Sequence, residues 1–103
     1  MNVKVFAFPA DLGVEGIQTL KQRLSELMNN EPNLQLQLDL GDVAYMDSAG
    51  LGVLVYAYNR ARELGGQVTI HRPQPRVREV FRMSRMDQVF NIVDTPPAGV
   101  AGK

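Results

Sequence analysis

Apolar and polar residues recur along the chain with two different periods, which predict strands alternating with helices. Residues 3–8, VKVFAF, are rich in β-branched and aromatic side chains and predict a short strand that Pro9 closes. Apolar residues then recur at spacings of three and four, which predicts an amphipathic helix. They are Val14, Ile17, Leu20, Leu24, Leu27 and Met28. Residues 34–40, LQLQLDL, alternate without interruption and predict a strand with one apolar and one polar face.

The second half of the chain continues this order. A second helix is predicted from about Ala49 to Leu64, and Gly65-Gly66 ends it. Its predicted inward positions are Leu51, Leu54, Val55, Tyr58 and Ala61. Residues 67–71 predict a third strand, and Pro75 suits the first position of a third helix. That helix is predicted to turn Val77, Val80, Phe81 and Ser84 inward. Residues 87–93 predict a last strand, and residues 93–103 are expected to form a flexible tail.

The predicted order is that of a small α/β protein. A chain of this length is most simply one domain, residues 1–103. Right-handed crossovers then give it a mostly parallel four-stranded sheet with three helices. A parallel sheet that is covered on both faces has continuously apolar strands. Because the strand at 34–40 has a polar face, one face of the sheet is expected to be partly exposed, with most helices on the other.

Composition excludes several classes of protein. The chain has 103 residues, of which 45% are hydrophobic, enough for one modest core. Its formal net charge is zero, which argues against a dedicated nucleic-acid binder or a membrane-surface protein. It has no cysteine, which excludes disulfides and thiolate metal sites. No apolar stretch approaches the roughly 18 residues that a membrane span requires, so a cytoplasmic protein is expected.

Charge is nevertheless distributed unevenly. The charged residues of segment 11–47 are mostly acidic, whereas residues 72–85 contain five arginines and one glutamate. The arginines are Arg72, Arg76, Arg78, Arg82 and Arg85. They can be an ordinary solvated surface. They can also be a stripe that faces a partner, because Arg78, Arg82 and Arg85 recur at helical spacing. The sequence leaves both interpretations open.

The segment AYMDSAGLGVL, residues 44–54, joins the second strand to the second helix. Loops at the carboxyl ends of parallel strands are where α/β proteins bind ligands. A helix start offers unpaired N–H groups and partial positive charge, so a phosphate on Ser48 could be held there. Gly50 has no side chain, which would allow another molecule to approach closely. Alternatively, Asp47 and Ser48 simply cap the helix, a role worth about 1 kcal/mol.

Candidate catalytic groups are missing. The only histidine is His71, at the end of another strand, where a packing or surface role is the more common one. No Gly-x-Ser-x-Gly segment surrounds Ser48, and no lysine follows it by three residues. There is no His, Asp and Glu cluster with metal-ligand spacing and no phosphate-binding glycine loop. We therefore expect no enzyme, no metal and no cofactor.

The central segment resembles the STAS domain family, specifically its stand-alone bacterial anti-sigma-factor antagonists. The resemblance lies in a strand ending Asp39-Leu40, then YMDSAGLGVL, then Gly65-Gly66 before the next strand. Residues 77–95 are similar to that family's closing helix and strand. Four features depart from the family: Ala49 stands where Ser or Thr is frequent, only one strand precedes the first helix, Arg85 stands where glycine is common, and the tail has no final helix. The missing strand leaves the oligomeric state open, because it could expose a sheet edge.

The resemblance implies a phosphorylation switch. Ser48 matches the family's phosphorylated serine, and the implied partner-binding residues are Asp11, Asp47, Ser48, Ala49, Gly50 and Leu51. Such proteins are not enzymes. They bind a serine-kinase anti-sigma factor and so release a sigma factor. The kinase then phosphorylates them, they lose affinity for it, and a PP2C-type phosphatase restores them.

Two further functions are compatible with the sequence. The chain could be a STAS scaffold or a subunit of a larger complex, in lipid transport or stress signalling, with Ser48 never phosphorylated. It could also be a small enzyme or ligand-binding domain that uses the mouth of the sheet. The missing catalytic groups argue against this last function.

Overall fold

Four parallel strands and three α-helices alternate along the chain, as predicted. The computed structural model describes residues 2–10, 12 and 14–97. In chain order the elements are β1 (Asn2–Ala7), α1 (Val14–Met28), β2 (Leu34–Asp39), α2 (Ser48–Glu63), β3 (Gln67–His71), α3 (Pro75–Met83), a single 3₁₀ turn (Met86–Gln88) and β4 (Asn91–Val93). Asp11, which the resemblance assigns to the partner-binding surface, lies outside the described residues, as do residues 98–103 of the predicted tail.

The sheet has the strand order β1-β2-β3-β4, and each neighbouring pair is parallel. Right-handed crossovers between adjacent strands carry successive helices to the same face of a sheet. On that face Leu38 pairs with Ile70, and both are fully buried. In the next row Gln37 pairs with Thr69, and both are partly exposed. This alternation confirms the predicted sheet with one partly exposed face.

Helix α2 packs on the core through the predicted stripe and through further small residues. Leu54 and Ala61 are buried, and Leu51, Val55 and Tyr58 are partly buried and pack against the core, as predicted. Three further positions are buried that the pattern did not indicate: Gly50, Val53 and Ala57. The buried face is therefore wider than the large apolar side chains suggest, because small residues form much of it.

The turn after α2 is built as predicted from Gly65-Gly66. The N–H of Gly65 donates to the carbonyl of Arg62 at 3.0 Å, and that of Gly66 donates to the carbonyl of Ala61 at 2.8 Å. This is the Schellman arrangement, in which Gly65 takes a φ of 80° that favours glycine. The turn directs the chain into β3 beside β2.

The predicted last strand, 87–93, is wrong at its start. Arg85 adopts a left-handed φ of 63° and turns the chain directly after α3. The N–H groups of Val89 and Phe90 both donate to the carbonyl of Met86, at 3.0 and 2.8 Å. These bonds close a 3₁₀ turn and use backbone groups that a longer strand would need. Only the last three residues of the segment pair with β3.

Helix α3 begins at Pro75 as predicted, with Gln74 as its N-cap residue. Val77 and Phe81 are buried, Val80 is partly buried, and Ser84 ends the helix by donating from Oγ to the carbonyl of Val80 at 2.8 Å. The inward positions are therefore those that the pattern indicated.

Candidate functional site

The loop between β2 and α2, residues 40–47, is held by three buried side chains and is here called the junction loop. Leu40, Val43 and Met46 are at most 1% exposed and recur every third residue. The N–H of Val43 donates to the carbonyl of Leu40 at 3.1 Å. Asp42 and Tyr45 lie between these anchors and are exposed. The loop therefore has a fixed inner side and a solvent-facing outer side.

An ion pair fixes the start of the junction loop. Arg72 donates from Nε and Nη2 to the two carboxylate oxygens of Asp39, each at 2.8 Å. The N–H of Gly41 donates to the same carboxylate at 2.9 Å, and Gln74 donates to the carbonyl of Gly41 at 2.8 Å. The hydrogen-bonded guanidinium of Arg72 lowers the pKa of Asp39. The ends of β2 and β3 and the start of α3 are thus tied together beneath the loop.

Asp47, and not Ser48, caps helix α2. Asp47 has an extended backbone, and its Oδ1 accepts hydrogen bonds from the N–H groups of Ala49 at 3.0 Å and Gly50 at 3.2 Å. Ser48 is the first residue of the helix and is exposed. Within the described part of the chain, its hydroxyl has no hydrogen-bond partner. The explanation of Ser48 as a cap is therefore wrong, because Asp47 already fills that role.

The same bonds limit the backbone N–H groups that could hold a phosphate on Ser48. Two of the donors at the helix start, those of Ala49 and Gly50, already bind the Asp47 carboxylate. A phosphoryl group on Ser48 would lie beside that carboxylate and would have to compete with it for these donors. The helix start is consequently a place where two anionic groups would crowd one another.

The residues of the candidate partner-binding surface do not all face outward. Asp47, Ser48 and Ala49 are exposed and contiguous, and Leu51 is partly buried. Gly50 is buried, and a Cβ built on it would lie 2.9 Å from Cγ of Met46. The expectation that Gly50 admits an approaching molecule is therefore wrong: its missing side chain makes room for the inner side of the junction loop.

Two exposed positions at this site were missed by the sequence analysis. Tyr45 is 62% exposed on the junction loop. A Cβ built on Gly52 meets nothing within 4 Å, so this position on α2 faces open space. The three-residue spacing of Leu40, Val43 and Met46 could have indicated the outward direction of Tyr45, because it leaves residue 45 on the other side.

The remaining candidates are His71 and the arginine stripe, of which Arg72 has been described with Asp39. His71 is 6% exposed, and its Nδ1 lies 2.9 Å from the carbonyl oxygen of Thr95. This buried setting agrees with a packing role. In the arginine stripe, Arg78 pairs with Asp94 and Arg82 pairs with Glu79. These exposed pairs balance part of the positive charge at the surface.

Within residues 2–10, 12 and 14–97, no three or more His, Asp or Glu side chains are grouped so that they could hold a metal ion. No described helix has the length and apolar character needed to cross a membrane.

The fold and the site define a class of protein: a parallel α/β domain that presents an exposed serine on the first turn of a helix whose cap is a separate residue. The family model of the STAS domain matches residues 1–98. The chain therefore belongs to the STAS domain family, as the sequence motif indicated.

Individual relatives agree with this assignment. BtrV of Bordetella bronchiseptica is 34% identical over 64 residues, which cover 62% of this chain but only 55% of BtrV. The anti-sigma-B factor antagonist of Bacillus subtilis is 28% identical over 90 residues, covering 87% of this chain and 81% of that protein. The crystal structure of TM1081 from Thermotoga maritima has a TM-score of 0.79 and 26% identity, covering 90% of this chain and 80% of that one.

Proposed function

We propose that this protein is an anti-sigma factor antagonist, which acts by binding an anti-sigma factor through the junction loop and the start of α2. Membership of the STAS family and the similarity to the Bacillus subtilis anti-sigma-B factor antagonist support this role. The observation that carries it is the exposed Ser48, which is not engaged in capping the helix. Control of a sigma factor implies a cytoplasmic location, which is part of the proposal.

The proposed partner is a serine-kinase anti-sigma factor that phosphorylates Ser48 and then binds this protein with lower affinity. Phosphorylation adds about 1.5 to 2 negative charges beside Asp47. Two like charges about 4 Å apart repel by about 1 kcal/mol in water and by about 4 kcal/mol where water is partly excluded. The free domain keeps both groups in water, so the fold tolerates the phosphate. A closed interface excludes that water, so the phosphate opposes binding.

These magnitudes set the size of the switch. A penalty of about 1 to 4 kcal/mol weakens the Kd by about fivefold to a thousandfold. A PP2C-type phosphatase would reverse the modification, since an exposed phosphoserine on a helix start is accessible to a second enzyme. The hydroxyl is then a contact in one state and the carrier of the opposing charge in the other.

The test is phosphorylation by the kinase itself. The full chain is incubated with ATP and the serine-kinase anti-sigma factor from the same genome, and intact mass is recorded. We expect one phosphate, absent from Ser48→Ala, and a Kd for the kinase that is at least about fivefold weaker after modification. The Ser48→Asp variant should bind more weakly while its unfolding free energy stays within about 1 kcal/mol of the parent.

The alternative function gives a different result in the same experiment. A STAS scaffold or subunit of a larger complex would stay unmodified, and Ser48→Asp would leave its binding unchanged. Turnover of a substrate that Ser48→Ala abolishes would instead point to a small enzyme.

A further inference from the structure

Tyr45 is the large aromatic side chain that the junction loop turns outward. It is 62% exposed, and in the described part of the chain it has no hydrogen-bond, ion-pair or ring partner. The other two of the chain's three tyrosines are engaged. Lys21 Nζ lies 5.0 Å from the ring centre of Tyr56, and Tyr58 packs on Phe90 with ring centres 5.8 Å apart. Tyr45 thus differs from both in leaving an apolar ring in water.

The outward direction of Tyr45 is fixed by its neighbours. Val43 is fully buried, and Met46 is 1% exposed, so the backbone on both sides of the tyrosine is anchored in the core. The Asp39–Arg72 ion pair holds the start of the loop. A rigid loop that already presents its side chain loses little conformational entropy when a partner binds. Tyrosine itself offers a large contact area with few rotatable bonds.

Tyr45 has exposed polar residues near it along the chain. The ring lies three residues before Ser48, and Asp42 and Asp47 are exposed on either side of it in sequence. Protein interfaces commonly place an aromatic side chain at a desolvated centre and polar groups around it. In a twofold dimer formed through this surface, the carboxylates of Asp42 and Asp47 would face and repel those of the other copy. This repulsion disfavours a second copy of this chain as the occupant. A partner with an apolar pocket bordered by hydrogen-bond donors is complementary.

We infer that Tyr45 is the aromatic anchor of the complex with the serine-kinase anti-sigma factor, and that its ring enters an apolar pocket of that partner next to Ser48. This inference rests on the proposed function, which supplies the partner. In the complex, hydrogen-bond donors of the partner pair with the carboxylates of Asp42 and Asp47. A phosphoryl group on Ser48 adds an anion for which no donor remains, so the ring can no longer be desolvated without leaving an anion unpaired.

The binding test compares matched variants of the full chain against the kinase that modifies Ser48. Tyr45→Ala should weaken the Kd at least tenfold, while Tyr45→Phe stays within about threefold of the parent. Met83→Ala is the control, because Met83 is another large exposed apolar residue, 76% exposed, at the end of α3. It should bind like the parent. Thermal unfolding of all three should match the parent, since Tyr45 has no partner in the fold.

A second measurement reports the burial of the ring directly. The chain contains no tryptophan, so Tyr45→Trp carries a single tryptophan at the anchor position. Its emission should shift to shorter wavelength when the unphosphorylated protein binds, and this shift should disappear after Ser48 is phosphorylated. The anchor role of Tyr45 is wrong if the Kd of Tyr45→Ala stays within threefold of that of the parent. It is also wrong if the emission of Tyr45→Trp does not shift in the complex.

The two proposals fail in different ways. If phosphorylation weakens binding and Tyr45→Ala does not, the anchor is wrong and the antagonist function stands. If Tyr45→Ala weakens binding and phosphorylation does not, the anchor stands and the switch is wrong. If the unmodified parent does not bind the kinase at all, both are wrong.

Discussion

Asp39 and Arg72 form a two-bond ion pair, with both nitrogen–oxygen distances at 2.8 Å, although they are 33 positions apart in the chain. Arg72 follows β3 in a left-handed conformation, with a φ of 43°, and reaches across to the last residue of β2. The Asp39 side chain is only 11% exposed, so its charge depends on this partner. The pair sets the point at which the junction loop leaves the sheet, and thereby the direction in which Tyr45 and Ser48 are presented.

The ion pair predicts a loss of stability in acid. Arg72 lowers the pKa of Asp39 in the folded state below its value in the unfolded chain, about 3.9. The stabilisation is therefore fully present above that value and is lost as pH falls through the lower, folded pKa. Replacing Arg72 by Gln should reduce stability at pH 7 and flatten the fall in stability below about pH 4. Urea unfolding across this range measures both effects.

Arg76→Gln is the matched control for this prediction, because Arg76 is exposed on the first turn of α3. It should unfold like the parent at each pH. A parent-like acid profile for Arg72→Gln would show that the ion pair contributes nothing to the folded state.

The cap on α2 predicts different costs at adjacent positions. Replacing Asp47 by Ala removes the acceptor for the N–H groups of Ala49 and Gly50 and should cost about 1 kcal/mol of unfolding free energy. Asp47→Asn retains an acceptor and should cost only a few tenths of a kcal/mol. Ser48→Ala should stay within about 0.5 kcal/mol of the parent, as surface substitutions usually do. Equal losses in Ser48→Ala and Asp47→Ala would return the capping role to Ser48.

The proposed phosphorylation switch makes a prediction for Asp47→Asn. The substitution retains the cap and removes the charge next to Ser48, so a phosphate there meets less repulsion when an interface excludes water. We expect phosphorylation to weaken kinase binding at least fivefold less in Asp47→Asn than in the parent. Titration of each protein, before and after phosphorylation, gives the two ratios. Equal ratios would place the source of the penalty in the partner and not in Asp47.

Periodicity predicted the sheet and its exposed face because both depend on local alternation. The strict pattern of residues 34–40 was sufficient to predict the partly exposed face that contains Gln37. The last strand failed for the opposite reason: its start depends on the left-handed backbone of Arg85, which no apolar pattern reveals. The stripe of α2 was predicted too narrow because small residues, such as Gly50 and Ala57, are also buried and have no large apolar side chain to signal it.

The sequence motif proposes where the site lies but does not give its geometry. The motif proposes Ser48, yet only the structure shows which of two good cap residues caps α2. The link between Asp39 and Arg72 joins two separate strands and has no local signal. The outward direction of Tyr45 follows from the burial of its neighbours, which depends on how the junction loop packs over the core.

Substitution of Gly66 is expected to cause a large loss of stability. A Cβ at this position would lie 2.0 Å from the backbone carbonyl oxygen of Leu34, at the start of β2. Backbone atoms in a paired strand cannot move aside cheaply, so Gly66→Ala should cost more than about 2 kcal/mol in chemical unfolding. Gly65→Ala should cost less, about 1 kcal/mol, because it requires an unfavourable φ and a shift of a side chain, the Oδ1 of Asn33 at 2.9 Å, but not of a paired strand. The reverse order would mean that β2 adjusts to the added methyl group.

Replacement of Gly52 by Ala is expected to raise stability, in contrast to Gly66→Ala, and to have a separate effect on binding. Glycine within a helix is less favourable than alanine by about 1 kcal/mol, and a Cβ at Gly52 meets nothing within 4 Å. Gly52→Ala should therefore stabilise the free domain by about 0.5 to 1 kcal/mol. Ala49 and Gly52 are both exposed and three residues apart, so they share one face of α2 beside Ser48. If that face contacts the kinase, the added methyl group should weaken its binding while the domain becomes more stable. Unfolding and kinase titration of the same variant separate the two effects, and a stabilised Gly52→Ala that binds like the parent would confine the interface to Ser48 and the junction loop.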